Sequence, residues 1–545
     1  MILLSTLLLS LFLTITLIPV SRKVAIRLHG MDIPDERKVH PYPMPKSGGI
    51  AMAMGVVIAV LIWAHGDQFV RAVLVGAGIV VVFGAMDDFK GLGYKAKFAG
   101  QIGAALVVIL YGGVKITSLG MLLPGDMLLP GYVAVPLTLL VIVGVTNAIN
   151  LADGLDGLAG GISLLSFICM GYLAVRLGNM GVALLSVAAI GAIFGFLRFN
   201  TYPATLFMGD AGSQCLGFLG ITLCLGLTQG NTPLSPLVPL LLMGFPVLDT
   251  VTVMLDRIHH GRSPFKADKN HLHHKFMRLG LYHTEAVFVI YILQALLVTA
   301  AFVFRYYSEW LLLFVYLVFS GCILGGFFIA HKTGWKVPRY HFVDTVIKGR
   351  LRVLREKQLI IKVCFRLLEL GTYSLLLFTC LVPAHVPGYV SWLTLPLIAA
   401  VVAARVFKRQ WMGGALQLSL YLFIPFVIYL SESNMASWMQ NPLVRPYNLS
   451  FGLLALVVIL TLKFTRRTKG FKVTPMDFLI LFIALVLPNL PDPEIRSYNM
   501  GLVTAKIIVL FFTCEVLIGE LRGQLNRLGL ATVGALVIMS VRGFI

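Results

Sequence analysis

The sequence predicts an all-α protein, a polytopic membrane helical bundle with about 11 transmembrane helices in its first part and about 5–7 more in a C-terminal extension. Three observations predict it. Hydrophobic residues make up 58% of the chain, charged residues make up only 12%, and uncharged runs of spanning length recur throughout. Because such a chain cannot cover its surface with polar groups, its solvent must be lipid. This composition excludes secreted disulfide scaffolds, disordered chains and most nucleic-acid-binding proteins.

The first apolar run, residues 2–20, precedes Ser21-Arg22-Lys23. A cleaved signal peptide carries its basic residues before the apolar run, so we expect a retained first span with its N-terminus outside. Further runs cover residues 48–65, 72–86, 98–114, 130–149, 158–175, 181–197, 212–228, 235–254, 286–304 and 310–330. Their unbroken hydrophobicity favours helices over the alternating strands of a barrel.

The loops alternate in charge. Loops on one side of the predicted bundle hold most of the lysines and arginines, whereas the other side contributes only Arg71, Lys115, Arg176 and Arg305. The positive-inside rule places the basic side in the cytoplasm. The net charge of +20 therefore follows from basic cytoplasmic loops and does not require a nucleic-acid partner.

Three segments follow from this pattern. Residues 1–330 form the membrane part that carries the chemical motifs, and residues 331–362 form a basic linker suited to an anionic inner leaflet. Residues 363–545 form a C-terminal transmembrane region whose function the sequence does not indicate. Its apolar runs lie near residues 366–383, 389–404, 410–430, 447–462, 476–490, 500–518 and 528–541.

Two adjacent carboxylates, Asp87 and Asp88, close the third predicted helix. Neighbouring helical residues point about 100° apart, so the two side chains cannot share one face. We expect one to face a substrate or metal and the other to be held by a neighbour. The structural alternative is a helix end that marks the interface.

The segment TNAINLADGLDGLAGG holds Asn147, Asn150, Asp153 and Asp156 at every third position. On a helix this spacing predicts one polar stripe, and the glycines between permit close approach of a ligand or another helix. We interpret the stripe as a ligand-binding wall. A polar helix–helix seam is the alternative.

Asp210 precedes the eighth predicted span and could cap it or hold a hard cation such as Mg²⁺, which prefers one or two carboxylates plus substrate phosphate. Asp249 lies inside the ninth span, where an ionisable group indicates function by default. A hydrogen bond to a neighbouring helix is the alternative for Asp249. It is the one charge that we expect clearly within a span.

A basic loop follows the ninth span. It contains Arg262 and Lys269 beside His271, His273 and His274. Cations and imidazolium groups donate charge-assisted hydrogen bonds to phosphate, which favours a phosphate site over zinc or a lipid-surface loop. No partnered nucleophile and no P-loop motif is present. A phosphate-rich substrate with Mg²⁺ is therefore expected, and the polar clusters should converge in one pocket.

Six motifs also resemble those of the polyprenyl-phosphate N-acetylhexosamine-1-phosphate transferases. In order, they read PMPKSGG, MDDFKGL, NAINLADGLDGLAGG, LFMGDAGS, PVLDT and SPFKADKNHLHH. The resemblance covers about the first 330 residues. It implies a Mg²⁺-dependent reaction of a UDP-N-acetylhexosamine with polyprenyl phosphate, giving a polyprenyl-diphosphate sugar and UMP in a bacterial inner membrane, with the site on the cytoplasmic face.

The resemblance also implies residue roles. Asp87 and Asp88 match the paired aspartates, proposed as a base or as carboxylates beside the metal, and Asp210 matches the magnesium ligand. Asp153 and Asp156 match the pair that lines the nucleotide pocket.

His271, His273 and His274 match the family's phosphate-side histidines, and Lys46 matches a basic residue that meets the nucleotide sugar. The spacing His-Leu-His-His looks like the UDP-GlcNAc branch. A branch with three consecutive histidines uses UDP-N-acetylmuramoyl-pentapeptide, and it remains the alternative, as does a carrier of lipid-linked sugars. The oligomeric state, a homodimer included, is left open.

Overall fold

The computed structural model describes residues 2–28, 30–33, 43–63, 66–124, 127–261, 263, 270–337, 359–407, 411–439, 442–464, 500–520 and 525–544. The described residues divide into two compact units, the first within residues 2–337 and the second within residues 359–544. Within the predicted linker 331–362, residues 338–358 lie outside the described residues. The functional assignment of the three sequence segments stays a prediction.

The first unit is helical, with one two-stranded antiparallel sheet in its first loop. Its helices are α1 Ile2–Arg27, α2 Gly48–Leu61, α3 Gln68–Lys90, α4 Tyr94–Leu106, α5 Gly131–Ala152, α6 Leu158–Arg176, α7 Met180–Asn200, α8 Gly209–Thr228, α9 Val238–Leu242, α10 Gly244–His259, α11 Leu272–Arg278, α12 His283–Val303 and α13 Glu309–Thr333. The strands are β1 Met31–Asp32 and β2 Met44–Pro45. A π-helical turn, Val107–Tyr111, continues α4.

The all-α membrane prediction is confirmed. Among the described residues, eleven helices are long and apolar enough to cross a membrane, eight in the first unit and three in the second, which makes this a multi-pass membrane protein. Helices α2, α4 and α10 have 14, 13 and 16 residues and are shorter than a full span. Helix α1 runs on through residues 21–27, which the sequence assigned to a loop.

One predicted span is wrong as a single helix. Residues 235–254 form α9 and α10, which are separated at Met243. Pro246 has no N–H, so it cannot donate to the carbonyl of Leu242 four residues earlier. That carbonyl instead accepts hydrogen bonds from Ser166 Oγ at 2.6 Å and Gln294 Nε2 at 2.7 Å. Side chains of α6 and α12 therefore stabilise the break.

Helix α8 forms the centre of the first unit. In the 18-residue apolar stretch of α8 that is long enough to cross a membrane, 94% of the residues are buried. The helix packs against α2, α3, α5, α6 and α7. The first turn of α8 therefore lies where several helix ends meet. This position brings groups from distant parts of the chain to Asp210.

The second unit contains further apolar helices packed around an aliphatic core. The described helices are α14 Leu359–Thr379, α15 Gly388–Phe407, α16 Met412–Ser433, α17 Val444–Phe464, α18 Met500–Glu520 and α19 Asn526–Phe544. The predicted run 476–490 lies outside the described residues.

The second unit also corrects the expectation that Asp249 is the one charge within a span. Lys506 of α18 forms an ion pair with Glu432 of α16, and their side chains are only 3% and 6% exposed. The Lys506 ammonium lies 4.1 Å from the centre of the Tyr447 ring. Hydropathy missed this pair because Lys506 is isolated in the apolar run 500–518 and Glu432 follows the end of the run 410–430.

We expect Lys506→Met to destabilise the protein by about 3–5 kcal/mol, because it leaves the Glu432 carboxylate buried without its cation. Thermal unfolding in detergent measures the loss. The double variant Glu432→Leu/Lys506→Met should recover most of it, since no uncompensated charge then remains. A single variant as stable as wild type would contradict a structural role for this pair.

Candidate active site

The predicted polar stripe is not on one helix. Asn147 and Asn150 occupy the last turns of α5, which ends at Ala152, and Asp153 and Asp156 lie in the turn that leads to α6. The helical repeat ends at Ala152, and Gly157, with a φ of 80° that glycine adopts at little cost, directly precedes α6. The single-helix interpretation of the stripe is therefore wrong, although all of these groups remain close together.

The 153–157 turn is held from three directions. The Gly157 N–H donates to Asn200 Oδ1 at 2.9 Å, and the Tyr291 hydroxyl donates to the Gly157 carbonyl at 2.6 Å. The Ala204 N–H donates to Asp156 Oδ2 at 3.0 Å. Side chains and backbone from α7, α12 and the α7–α8 loop therefore fix where the turn presents its carboxylates.

The paired aspartates have different partners. Both oxygens of the buried Asp88 carboxylate accept backbone N–H groups at the start of α8, from Asp210 at 3.0 Å and Ala211 at 3.1 Å. Asp87 turns towards α4, where its Oδ2 lies 2.6 Å from Lys97 Nζ. Asp88 thus supplies the cap of α8 and leaves the Asp210 carboxylate available for other partners.

Lys97 joins the ends of three helices. Its ammonium lies between Asp87 of α3 and Asp210 of α8, 2.7 Å from Asp210 Oδ2. The two carboxylate oxygens therefore converge on one cationic position. Sequence reasoning missed Lys97 because it is one of three lysines in the short stretch after Asp88.

A chain of amide side chains continues from Asp210 into the bundle. Gln214 Nε2 donates to Asp210 Oδ2 at 3.2 Å, and Gln101 Nε2 donates to Gln214 Oε1 at 2.9 Å. Asn147 Nδ2 then donates to Gln101 Oε1 at 2.7 Å. Next to this chain, the Ser213 hydroxyl of α8 donates a hydrogen bond to Asn150 Oδ1 of α5 at 2.6 Å. Gln101 and Gln214 were also missed, and their signal is a lone amide in an apolar run.

The first loop reaches the same region through the small sheet. Lys46 follows β2 and forms a parallel bridge with Phe207, just before α8. Its ammonium lies 3.1 Å from Asp32 Oδ1 on β1. Burial lowers the pKa of Lys46, but the charge and hydrogen bond of Asp32, together with the charges of Asp88 and Asp210, outweigh this effect and raise the pKa above its ordinary value. Lys46 therefore remains cationic beside the acidic groups.

The histidine motif is anchored by Asp249. His271 Nδ1 lies 2.9 Å from Asp249 Oδ2, and the Leu272 N–H donates to Asp249 Oδ1 at 2.6 Å. His271 and Asp249 are both buried. The carboxylate therefore favours a proton on Nδ1 of His271 and fixes the start of α11.

His273 lies directly on the 153–157 turn. A β-carbon at Gly154 would be 2.4 Å from His273 Nε2, so only a glycine permits this contact. Burial, with a smaller contribution from the charge of His274, lowers the pKa of His273 to about 3. This low pKa favours a neutral imidazole at His273, whereas the sequence led us to expect an imidazolium there. Arg262 and Lys269 lie outside the described residues.

The carboxylates are close enough to influence one another. Loss of hydration, together with the charges of Asp210, Asp156 and Asp88, raises the pKa of Asp153 to about 7. Excess negative charge of this kind favours a bound cation or a cationic group of a ligand. The structure therefore brings the paired aspartates, Asp210, the 153–157 turn, Lys46 and the histidine motif together at one end of the first unit.

Comparison with known proteins identifies relatives. A model of glycosyl transferase family 4 matches residues 70–228, which contain both paired aspartates, the turn and Asp210. The chain is 37% identical over 308 residues to a probable undecaprenyl-phosphate N-acetylglucosaminyl 1-phosphate transferase of Bacillus subtilis, covering 56% of this chain and 86% of the relative.

Undecaprenyl-phosphate alpha-N-acetylglucosaminyl 1-phosphate transferases give similar matches. The Yersinia pestis protein is 35% identical over 332 residues, covering 59% of this chain and 89% of the relative. The Escherichia coli K12 protein is 35% identical over 358 residues, covering 64% and 95%. Part of this chain thus matches nearly the whole length of each relative. The chain therefore belongs to glycosyl transferase family 4, the family of these polyprenyl-phosphate sugar-1-phosphate transferases.

Proposed function

We propose that this protein transfers N-acetylglucosamine 1-phosphate from UDP-GlcNAc to undecaprenyl phosphate and releases UMP, the first step of an envelope polysaccharide. The observation that carries the proposal is the meeting of Asp87, Lys97 and Asp210 beside the 153–157 turn. Opposite charges at the ends of several membrane helices suit a diphosphate substrate whose acceptor is a lipid. The names of the relatives support the same reaction.

Mg²⁺ is the cofactor that we propose. Asp87 and Asp210 fit it, because their Oδ2 atoms already converge on one cation, the Lys97 ammonium. Two carboxylates completed by substrate phosphate oxygens form a typical magnesium ligand set. The resemblance assigns Asp88 as well, but its two oxygens cap α8, so the geometry favours Asp87 as the partner of Asp210. Bound Mg²⁺ would neutralise charge on the donor diphosphate.

The reaction forms one P–O bond and breaks another. An oxygen of undecaprenyl phosphate attacks the β-phosphorus of UDP-GlcNAc, and the bond from that phosphorus to the bridging oxygen breaks, so that UMP leaves. A phosphate monoester is already ionised near neutral pH, so the attack needs little help from a base. The chain mainly positions the two phosphates and neutralises their charge.

Individual residues serve these two tasks. We assign Lys97 and Lys46 to charge neutralisation, and Asp153 and Asp156 to the nucleotide sugar, together with Asn147 and Asn150. Asp249 holds Nδ1 of His271, which leaves Nε2 as the nitrogen that donates to a phosphate oxygen when both ring nitrogens carry a proton. We assign His273 and His274 to the same phosphate side, with His273 acting as a neutral hydrogen-bonding group.

The membrane placement is also part of the proposal. The distribution of the basic loops supports a site on the cytoplasmic face of a bacterial inner membrane, where UDP-sugars are available, with the N-terminus outside. The histidine spacing favours UDP-GlcNAc over UDP-N-acetylmuramoyl-pentapeptide. A homodimer stays a prediction.

The test uses the full chain in proteoliposomes with undecaprenyl phosphate, Mg²⁺ and radiolabelled UDP-GlcNAc. We expect lipid-linked GlcNAc phosphate and one UMP per product, loss of both when EDTA removes the metal, and recovery when Mg²⁺ is restored. Unlabelled UDP-GlcNAc, UDP-GalNAc and UDP-N-acetylmuramoyl-pentapeptide compete in separate reactions. Absence of lipid-linked sugar with every donor would refute the enzyme assignment, and movement of intact lipid-linked sugar across the bilayer would instead indicate a carrier.

A further inference from the structure

His283, the first residue of α12, lies against the turn that holds Asp153 and Asp156. Its Nε2 accepts a hydrogen bond from the Asp156 backbone N–H at 3.0 Å. A ring nitrogen accepts only when it carries no proton, so the neutral ring must carry its proton on Nδ1. The hydrogen bond thus selects one tautomer of His283.

The opposite ring nitrogen has no partner. Nδ1 of His283 is buried and makes no hydrogen bond within the described part of the chain. A buried donor without a partner is destabilising. A purely space-filling residue at this position would avoid that cost, so the acceptor nitrogen is the feature that explains a histidine here.

The neighbours of the His283 ring also contact the 153–157 turn. Its ring lies 4.7 Å from the ring of Tyr202, between centroids. Tyr202 belongs to the α7–α8 loop, in which the Ala204 N–H donates to Asp156 Oδ2. Asp156 is therefore held twice, through its backbone by His283 and through its carboxylate by Ala204.

We propose that His283 is a positioning residue for the sugar-nucleotide donor. It holds the 153–157 turn in the conformation that presents the Asp153 and Asp156 carboxylates to UDP-GlcNAc, and it does so through the Nε2 acceptor. This inference rests on the proposed function. Because His283 acts on the donor-binding turn and not on the reacting phosphates, its loss should affect donor binding more than turnover.

The test compares three variants of the full chain in proteoliposomes. His283→Phe keeps a ring against Tyr202 but removes the acceptor, His283→Gln keeps an acceptor oxygen, and His283→Ala removes both. We expect His283→Phe and His283→Ala to raise the KM for UDP-GlcNAc about tenfold, as expected for the loss of one hydrogen bond. The kcat and the KM for undecaprenyl phosphate should change less than about twofold, and His283→Gln should stay within about threefold of wild type.

The matched control is His331→Gln, at an exposed position near the end of α13, which should behave as wild type. If His283→Ala does not fold, the Phe and Gln variants still separate the acceptor from the packing. If wild type is active and His283→Phe and His283→Gln have the same KM for UDP-GlcNAc, the proposed role of the Nε2 acceptor is wrong. The proposed function would not be affected by that result. A wild type that makes no lipid-linked sugar would refute the proposed function, and this inference with it.

Discussion

Replacing Asp210 with asparagine is expected to lower kcat about 10³-fold, equivalent to about 4 kcal/mol of lost transition-state stabilisation. Asparagine has the same shape but no charge, so the cationic position between Asp87 and Asp210 loses half of its negative charge. The apparent Kd for Mg²⁺ should rise together with the fall in kcat. Steady-state assays across a magnesium titration measure both quantities.

The fold should survive this substitution. The start of α8 is capped by Asp88, whose carboxylate accepts the backbone N–H groups of Asp210 and Ala211. The control is Asp67→Asn, since Asp67 caps α3 only by accepting hydrogen bonds and asparagine caps helices equally well. An Asp210→Asn enzyme within tenfold of wild type would exclude Asp210 from the charge-bearing part of the site.

Asp249→Asn is expected to lower kcat about 10²-fold, because carboxylates that orient a functional histidine contribute effects of this size. Both oxygens of Asp249 are occupied, one by His271 Nδ1 and one by the Leu272 N–H. Asparagine can satisfy only one of these donors and presents an N–H group to the other. His271 then loses its orientation, and the start of α11 loses an acceptor.

The matched control is Asp256→Asn, two turns further along α10. Asp256 is 40% exposed, and its Oδ2 accepts a hydrogen bond from the Asn270 amide at 3.3 Å. We expect the control to retain activity within about threefold, since exposed polar contacts contribute little. If both variants lost activity equally, the effect would belong to the loop as a whole and not to the Asp249–His271 pair.

Local pattern was sufficient for most of the helices. Apart from the short α11, the helices of the first unit all fall on hydrophobic runs, because backbone groups in lipid must be satisfied within their own segment. The ninth run shows the limit of this rule. Pro246 signals an unpaired carbonyl at Leu242, but the partners Ser166 and Gln294 come from distant helices and appear only after folding.

The candidate site shows the same division. Polar residues at helix ends marked Asp87, Asp88 and Asp210, yet the distinct roles of the two adjacent aspartates depend on which one meets α8 and which meets α4. Lys97 was missed because its function lies in its distance to two carboxylates from other helices.

The residue types and their order along the chain determined a helical membrane protein and predicted phosphate chemistry at one end of it. They could do so because the free-energy costs of exposing polar groups to lipid and of burying charge act on each segment independently. Packing between helices decides which carboxylate caps α8, which carboxylate shares the Lys97 cation with Asp210, and which histidine stays neutral. These roles arise from contacts between segments far apart in the chain, and hydropathy and spacing contain no record of those distances.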